Sequence, residues 1–182
     1  MIRHKKPIST EPTKLLAENI DLLLNAPCGP VVDVACGYGR NGCVFAGFGR
    51  EVHFVDIDSA AIRFVRDFID GVCKQMKVEN RSRLLCVNLE RERWPYEKCS
   101  VAGVIMVHYY QQKVVEAALR SIKAGGFFLF ESVGDHGSNY LELPGYGRMK
   151  RALGEFSTVF FYERRSTKNT RRAVVKVLAI KK

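Results

Sequence analysis

The chain has no C-x-x-C pair, no apolar run long enough to cross a bilayer, and no repeat, low-complexity segment or long linker. Each absence narrows the reading. The six cysteines, Cys28, Cys36, Cys43, Cys73, Cys86 and Cys99, are scattered, and several sit within apolar runs. There a thiol acts as a small hydrophobe, so reduced, structural cysteines are expected. His4, His53, His108 and His136 do not cluster with them at zinc-ligand spacing, and no metal site is expected. The basic N-terminus MIRHKKPIST lacks the apolar core of a secretory signal, which makes the cytoplasm the expected compartment. With 182 residues, one well-buried α/β domain is expected rather than two.

Negative charge is scarce in one part of the chain only. The formal net charge is +10. Met1 to Gly147 carries 18 basic and 17 acidic residues, whereas Arg148 to Lys182 carries 11 and 2. Such asymmetry fits an anionic partner or a solvated basic face.

What is present is an alternation of apolar strands and amphipathic helices. EPTKLLAENIDLLLNAP (11–27) has helical spacing and is expected to form one helix. GPVVDVAC reads as a buried strand, followed by Gly37-Tyr38-Gly39 and a small-residue helix to about Phe48. EVHFVDID is the second strand. Ser59 is the expected N-cap of a helix that places Ile62, Val65, Phe68 and Ile69 on one face. RLLCVNL, VAGVIMVHYY and GFFLFESV are further strands, the last two separated by the helix QQKVVEAALRSIK, which Ala124-Gly125-Gly126 should stop. STVFFYE and AVVKVLAI enclose RRSTKNTRR without room for a crossover helix, so they should form an antiparallel hairpin. The expected architecture is a doubly wound, mostly parallel seven-stranded sheet with helices on both faces and a C-terminal antiparallel hairpin.

The stretch VVDVACGYGRNG (31–42) admits two ligands. From Gly37 it matches the dinucleotide fingerprint G-x-G-x-x-G. From Asp33 it is an acidic residue leading into a glycine turn. A pyrophosphate on the loop N–H groups disfavours a neighbouring carboxylate, whereas S-adenosylmethionine carries an ammonium and a sulfonium that favour one. Asp33 therefore points to adenosylmethionine, with the fingerprint match coincidental.

These residues, with Asp56 nineteen positions after Gly37, resemble the first two motifs of the class I adenosylmethionine-dependent methyltransferases. The variant D-x-A-C-G-x-G-R-N is similar to the small tellurite-resistance and thiopurine-type branch. Similarity continues through VNLERERWP, VIMVHYY, AGGFFLFESV and NYLELPG. The resemblance implies a single methyltransferase domain: an N-terminal helical segment (1–27), a cofactor-binding core (28–133), and a substrate-side loop with the terminal hairpin (134–182). It places Asp33 and the Ala35 carbonyl near the methionine amino group, with Gly37 and Gly39 letting the backbone approach the ligand. Arg40 would pair with the methionine carboxylate, Asp56 would accept the ribose hydroxyls, and Ile57 would lie against the adenine. The resemblance also makes Val107 an expected cofactor contact and would set Asn88 and Leu89 beside the adenine amino group. Asn88 departs from the family's usual acidic residue and also suits an ordinary turn.

On the acceptor side the candidates are His108, Tyr109 and Tyr110 at the end of the fourth strand, with His108 suited to a base near neutral pH. Tyr38 is a further candidate contact, and HGSNYLELPGYGRMK an adaptable covering loop. The expected activity is methyl transfer to a small-molecule substrate, an anionic one among the candidates. RNA or protein methylation through the basic hairpin, and a non-catalytic cofactor-binding partner protein, are the alternative readings.

Overall fold

Alternating apolar strands and helices wind into one seven-stranded sheet in the computed structural model, which describes residues 11–135, 143–165 and 172–182. The strands are β1 (Val31–Val34), β2 (Val52–Asp56), β3 (Ser82–Cys86), β4 (Val101–Val107), β5 (Ile122–Asp135), β6 (Phe156–Arg164) and β7 (Arg172–Lys181). Their order is β3-β2-β1-β4-β5-β7-β6. The first five run parallel, and β7 inserts antiparallel between β5 and β6. The hairpin is therefore present, and β6 points the same way as the parallel strands. Residues 166–171 of its turn lie outside the described residues, as do 136–142 of the expected covering loop.

Every residue of β1 and β4 is buried, which is why β4 reads as an unbroken apolar run and β1 as one interrupted only by Asp33. β3 is different. It is the sheet edge, and its residues are exposed or only partly buried, because Ser82 and Arg83 interrupt the apolar run. One face of the sheet carries α1 (Lys14–Ala17), α2 (Ile20–Leu24), α3 (Gly42–Gly47) and α4 (Ser59–Met76), packed around Leu16, Phe45, Phe54, Val65 and Phe127. The other carries α5 (Gln112–Ser121) and α6 (Arg148–Ala152), packed around Val104, Val115, Phe128 and Met149. Right-handed crossovers require this: the chain winds outward from β1 through β3, then in the opposite sense through β4 and β5.

Several local expectations need correction. The expected N-terminal helix is two short ones, because Asn19 leaves helical geometry (φ −121°, ψ 16°) and its side-chain amide donates back to the Leu15 carbonyl at 2.8 Å. Asp58, not Ser59, caps α4, its carboxylate accepting the Ala60 N–H at 2.8 Å. Phe68 is only partly buried, and Cys73 joins the buried face instead. α5 ends at Ser121, before the glycines, and β5 begins at Ile122 with an irregular register opposite Val101 and Gly103. Gly126 is required in that irregularity, since a Cβ there would stand 2.6 Å from the Ala102 carbonyl oxygen. α6 was not expected; its core anchors Met149 and Leu153 are four residues apart, a spacing visible in the sequence.

The connection from β3 to β4 crosses the second face without a helix. Leu89, Trp94 and Tyr96 cover the sheet in its place. This strap is pinned from below: His53 on β2, buried, meets the Tyr96 hydroxyl at 3.0 Å and the Glu51 carboxylate at 2.9 Å.

Candidate functional site at the carboxyl edge of the sheet

β1 has β2 on one side and β4 on the other, and the helices that follow β1 and β4 lie on opposite faces. The crevice outside the carboxyl ends of these strands is where such sheets bind ligands. Asp33, next to the last residue of β1, is 1% exposed, and its Oδ2 accepts the Gly42 N–H at 2.8 Å. Burial pushes its carboxyl up to about 7; the Gly42 bond opposes this, Asp56 adds to it, and Arg40 opposes it. Asp56 ends β2. Its Oδ2 accepts the Gly37 N–H at 2.7 Å, and its Oδ1 the Asp58 N–H at 2.9 Å.

Two clefts open on this edge. The larger, about 360 Å³, is lined by Asp33, Ala35, Gly37, Arg40, Val107 and His108, together with Cys36, Tyr38 and Asn41. The second, about 200 Å³, shares Ala35 and adds Asp56, Ile57, Asn88, Leu89 and Tyr109. Nine of the ten residues expected at the cofactor therefore line one cleft or the other. Gly39 does not: a Cβ there would meet Val65 at 3.0 Å, Phe54 at 3.2 Å and Cys43 at 3.3 Å. Close packing and a φ of +77° both favour glycine there. Gly37 is the opposite case, with φ +52° and nothing within 4 Å of the missing Cβ.

Two non-glycine residues hold the left-handed conformation at the ends of adjacent strands, Ala35 (φ +51°) on β1 and His108 (φ +59°) on β4. Both line the larger cleft, where such strain concentrates at functional sites. The His108 N–H donates to the Glu131 carbonyl at 2.7 Å. Desolvation lowers its imidazole pKa, and Arg40 and Lys176 add to this against Glu131. A neutral ring at pH 7 results.

Tyr109 parts company with its neighbour. It lines the second cleft, its hydroxyl buried without a hydrogen-bond partner among the described residues, and burial with Glu90 raises the phenol to about 12. Tyr110 packs edge-on to Phe130 at 6.2 Å. Of the three acceptor-side candidates, only His108 faces the larger cleft. Tyr38 lines that cleft with its ring edge-on to Phe64 at 5.0 Å. Asn88 makes a turn, its Oδ1 accepting the Glu90 N–H at 3.0 Å, so the ordinary turn reading describes its side chain in this structure. Arg40 reaches the Glu11 carbonyl at 3.4 Å, a weak tie to the N-terminal segment.

Sequence reasoning missed Asn41 and Gly42. The buried Asn41 Oδ1 accepts the Thr13 N–H at 3.0 Å and so ties the segment before α1 to the cleft floor. At Gly42 a Cβ would stand 2.5 Å from the Phe54 ring and 3.0 Å from Asp33 Oδ2. The signal was the third glycine of G-x-G-x-x-G, set aside above as coincidental; here it serves helix-to-strand packing.

No family model matches the sequence, and no curated protein matches it. Solved structures do match in shape. One is geranyl diphosphate C-methyltransferase from Streptomyces coelicolor A3(2), solved with Mg2+, geranyl diphosphate and S-adenosyl-L-homocysteine. It is 14% identical over 92% of this chain and 79% of its own, with a TM-score of 0.65. A methyltransferase from Methanosarcina mazei described as adenosylmethionine-dependent is 13% identical over 94% and 98%, with a TM-score of 0.64. The fold is that of the class I methyltransferases. At these identities the likeness is one of fold alone, because the [4+2]-cyclase SpnF shares it as well (10% identity over 92% and 80%, TM-score 0.65).

Proposed function

We propose that this protein transfers a methyl group from S-adenosylmethionine to a small-molecule acceptor. The observation that carries the reading is the fate of the loop N–H groups. A dinucleotide site would aim the Gly37 and Gly42 amides at a pyrophosphate. Here carboxylates occupy both, Asp56 on Gly37 and Asp33 on Gly42. A site so lined repels a phosphate and attracts a cation.

The residues present fit adenosylmethionine. The bare Gly37 backbone leaves room for a ligand, and the buried Asp33 carboxyl, which Arg40 only partly offsets and no ion pair among the described residues neutralises, suits an ammonium. Asp33 and the Ala35 carbonyl would hold that ammonium, and Arg40 the carboxylate. Asp56 is held in place by two backbone N–H groups and keeps lone pairs for the ribose hydroxyls. Ile57, 64% exposed, is an apolar surface for the adenine, with Asn88 and Leu89 beside it and Val107 under the methionine side. Asn88 Oδ1 retains one lone pair after the Glu90 bond.

Bound adenosylmethionine supplies a methyl group on a sulfonium, a leaving group that needs no acid. The chain's task is alignment, which provides roughly 7–11 kcal/mol of such a barrier. Neutral His108, on the wall of the larger cleft, would take the proton from an acceptor that must lose one. An anionic acceptor fits the positive charge of Lys176 near His108, although Glu131 holds that ammonium at 2.9 Å, and geranyl diphosphate, the small molecule bound by one neighbour, is itself anionic. Adenosylhomocysteine release across thiols, phenols, metalloid oxyanions, isoprenoid diphosphates and RNA tests the reading. Turnover with a small molecule is expected, and turnover with RNA alone would overturn it.

A further inference from the structure

A cleft larger than the two at the carboxyl edge lies elsewhere on the described chain. It lies between the helix-less strap that joins β3 to β4 and the side of α5, with a volume of about 530 Å³. Its floor is apolar, built from the buried Leu89 and Val114, and Trp94 forms a wall. Four cations surround it: Arg93, Lys98, Lys113 and Arg120. None of them forms an ion pair among the described residues, although Glu92 and Glu97 line the same cleft. Glu92 is otherwise engaged, its carboxylate accepting the Asn88 N–H at 3.0 Å.

Lys113 donates to the Glu90 carbonyl, but Arg93, Lys98 and Arg120, without ion pairs among the described residues and set over an apolar floor, suit a ligand with two natures. The floor and the Trp94 ring take apolar area, while the guanidinium forks take an anionic head. The wall is already fixed. Tyr96, edge-on to Trp94 at 5.2 Å, is bonded to His53 beneath it, and the Trp94 indole N–H is buried with no partner among the described residues. We propose that this cleft binds an amphipathic anion: a flat aromatic body against Trp94 and Val114, with a sulfonate, carboxylate or phosphate head between Arg93 and Arg120. The volume suits a body of two or three rings, within the usual range of small-molecule sites. The proposal stands independently of methyl transfer.

Trp94 is the chain's one tryptophan, so its fluorescence reports from this wall alone. The probe is 1-anilinonaphthalene-8-sulfonate, which accepts energy from tryptophan. Saturable one-to-one transfer from Trp94 is expected, and it should persist in excess adenosylhomocysteine. Arg93→Ser with Arg120→Ser should weaken the probe at least about tenfold, the loss expected from removing charge-assisted bonds, with the thermal midpoint held. N-phenyl-1-naphthylamine, the same rings without the sulfonate, should bind at least about tenfold less tightly. Absence of saturable transfer, undiminished affinity in the double variant, or equal affinity for the neutral amine would each overturn the proposal. Displacement by adenosylhomocysteine would place the probe in the other crevice and overturn it too.

Discussion

Replacing Asp33 by asparagine should stabilise the unliganded protein while impairing its ligand. The Asp33 carboxyl is raised from 3.8 to about 7, chiefly by burial. The folded state therefore holds its proton more tightly than the unfolded state between about pH 4 and 7. Stability is greatest below the unfolded value, falls as pH rises toward the folded value, and is level above it. Roughly three units at 1.36 kcal/mol each make the ionised, fully buried Asp33 a cost of about 4 kcal/mol at pH 8. Asparagine does not titrate, and its bond to the Gly42 N–H forfeits about 1 kcal/mol of charge assistance. The variant should thus be more stable by roughly 2–3 kcal/mol at pH 8 and no more stable at pH 4. Urea unfolding of both proteins at the two pH values measures this. Adenosylhomocysteine should reverse the preference, because its ammonium needs the ionised carboxylate. Wild-type affinity should fall about tenfold per unit below pH 7, and this slope should vanish in the variant along with about 10- to 100-fold of the affinity at pH 8. A variant less stable than wild type at pH 8, or one keeping the same pH slope of binding, would refute the reasoning.

Gly42→Ala should lower stability by roughly 1–3 kcal/mol in urea melts, since its Cβ would overlap the Phe54 ring at 2.5 Å. Gly37→Ala has open space and should cost only about 1–2 kcal/mol for its φ of +52°, while its adenosylhomocysteine affinity drops in calorimetry. Tyr96→Phe strips the buried His53 Nδ1 of its partner and should cost about 1–3 kcal/mol by thermal melting. Lys176→Met removes the 2.9 Å partner of the largely buried Glu131; with Lys176 partly exposed, a loss of roughly 1–2 kcal/mol in urea is expected.

The sheet was legible in the sequence because its strands differ in kind. β1 and β4 are buried on both faces and read as apolar runs, broken in β1 only by Asp33, while too few residues separate β6 from β7 for anything but a hairpin. The helix ends were not legible. At Asn19 and Asp58 a side chain competes with the helix backbone, and such competition is settled by a single hydrogen bond that periodicity does not register. The acidic pair Asp33 and Asp56 could be read from their positions at strand ends. The left-handed backbone at His108, a conformation ordinarily left to glycine, could not. Nor could the cleft beside α5, which exists because the β3–β4 connection lacks a helix and the strap does not fill its place.

On the proposed function, carboxylates at the ends of β1 and β2 make a cation site where a dinucleotide-binding loop would hold a phosphate. Calorimetric titration of the wild-type chain and of Asp56→Ala with adenosylhomocysteine and with NAD tests it most directly. Adenosylhomocysteine should bind the wild type one-to-one and lose roughly 1.5–3 kcal/mol in the variant, as expected for a charge-assisted bond to the ribose, while NAD gives no heat with either. Tight NAD binding that excess adenosylhomocysteine leaves unchanged would contradict the account.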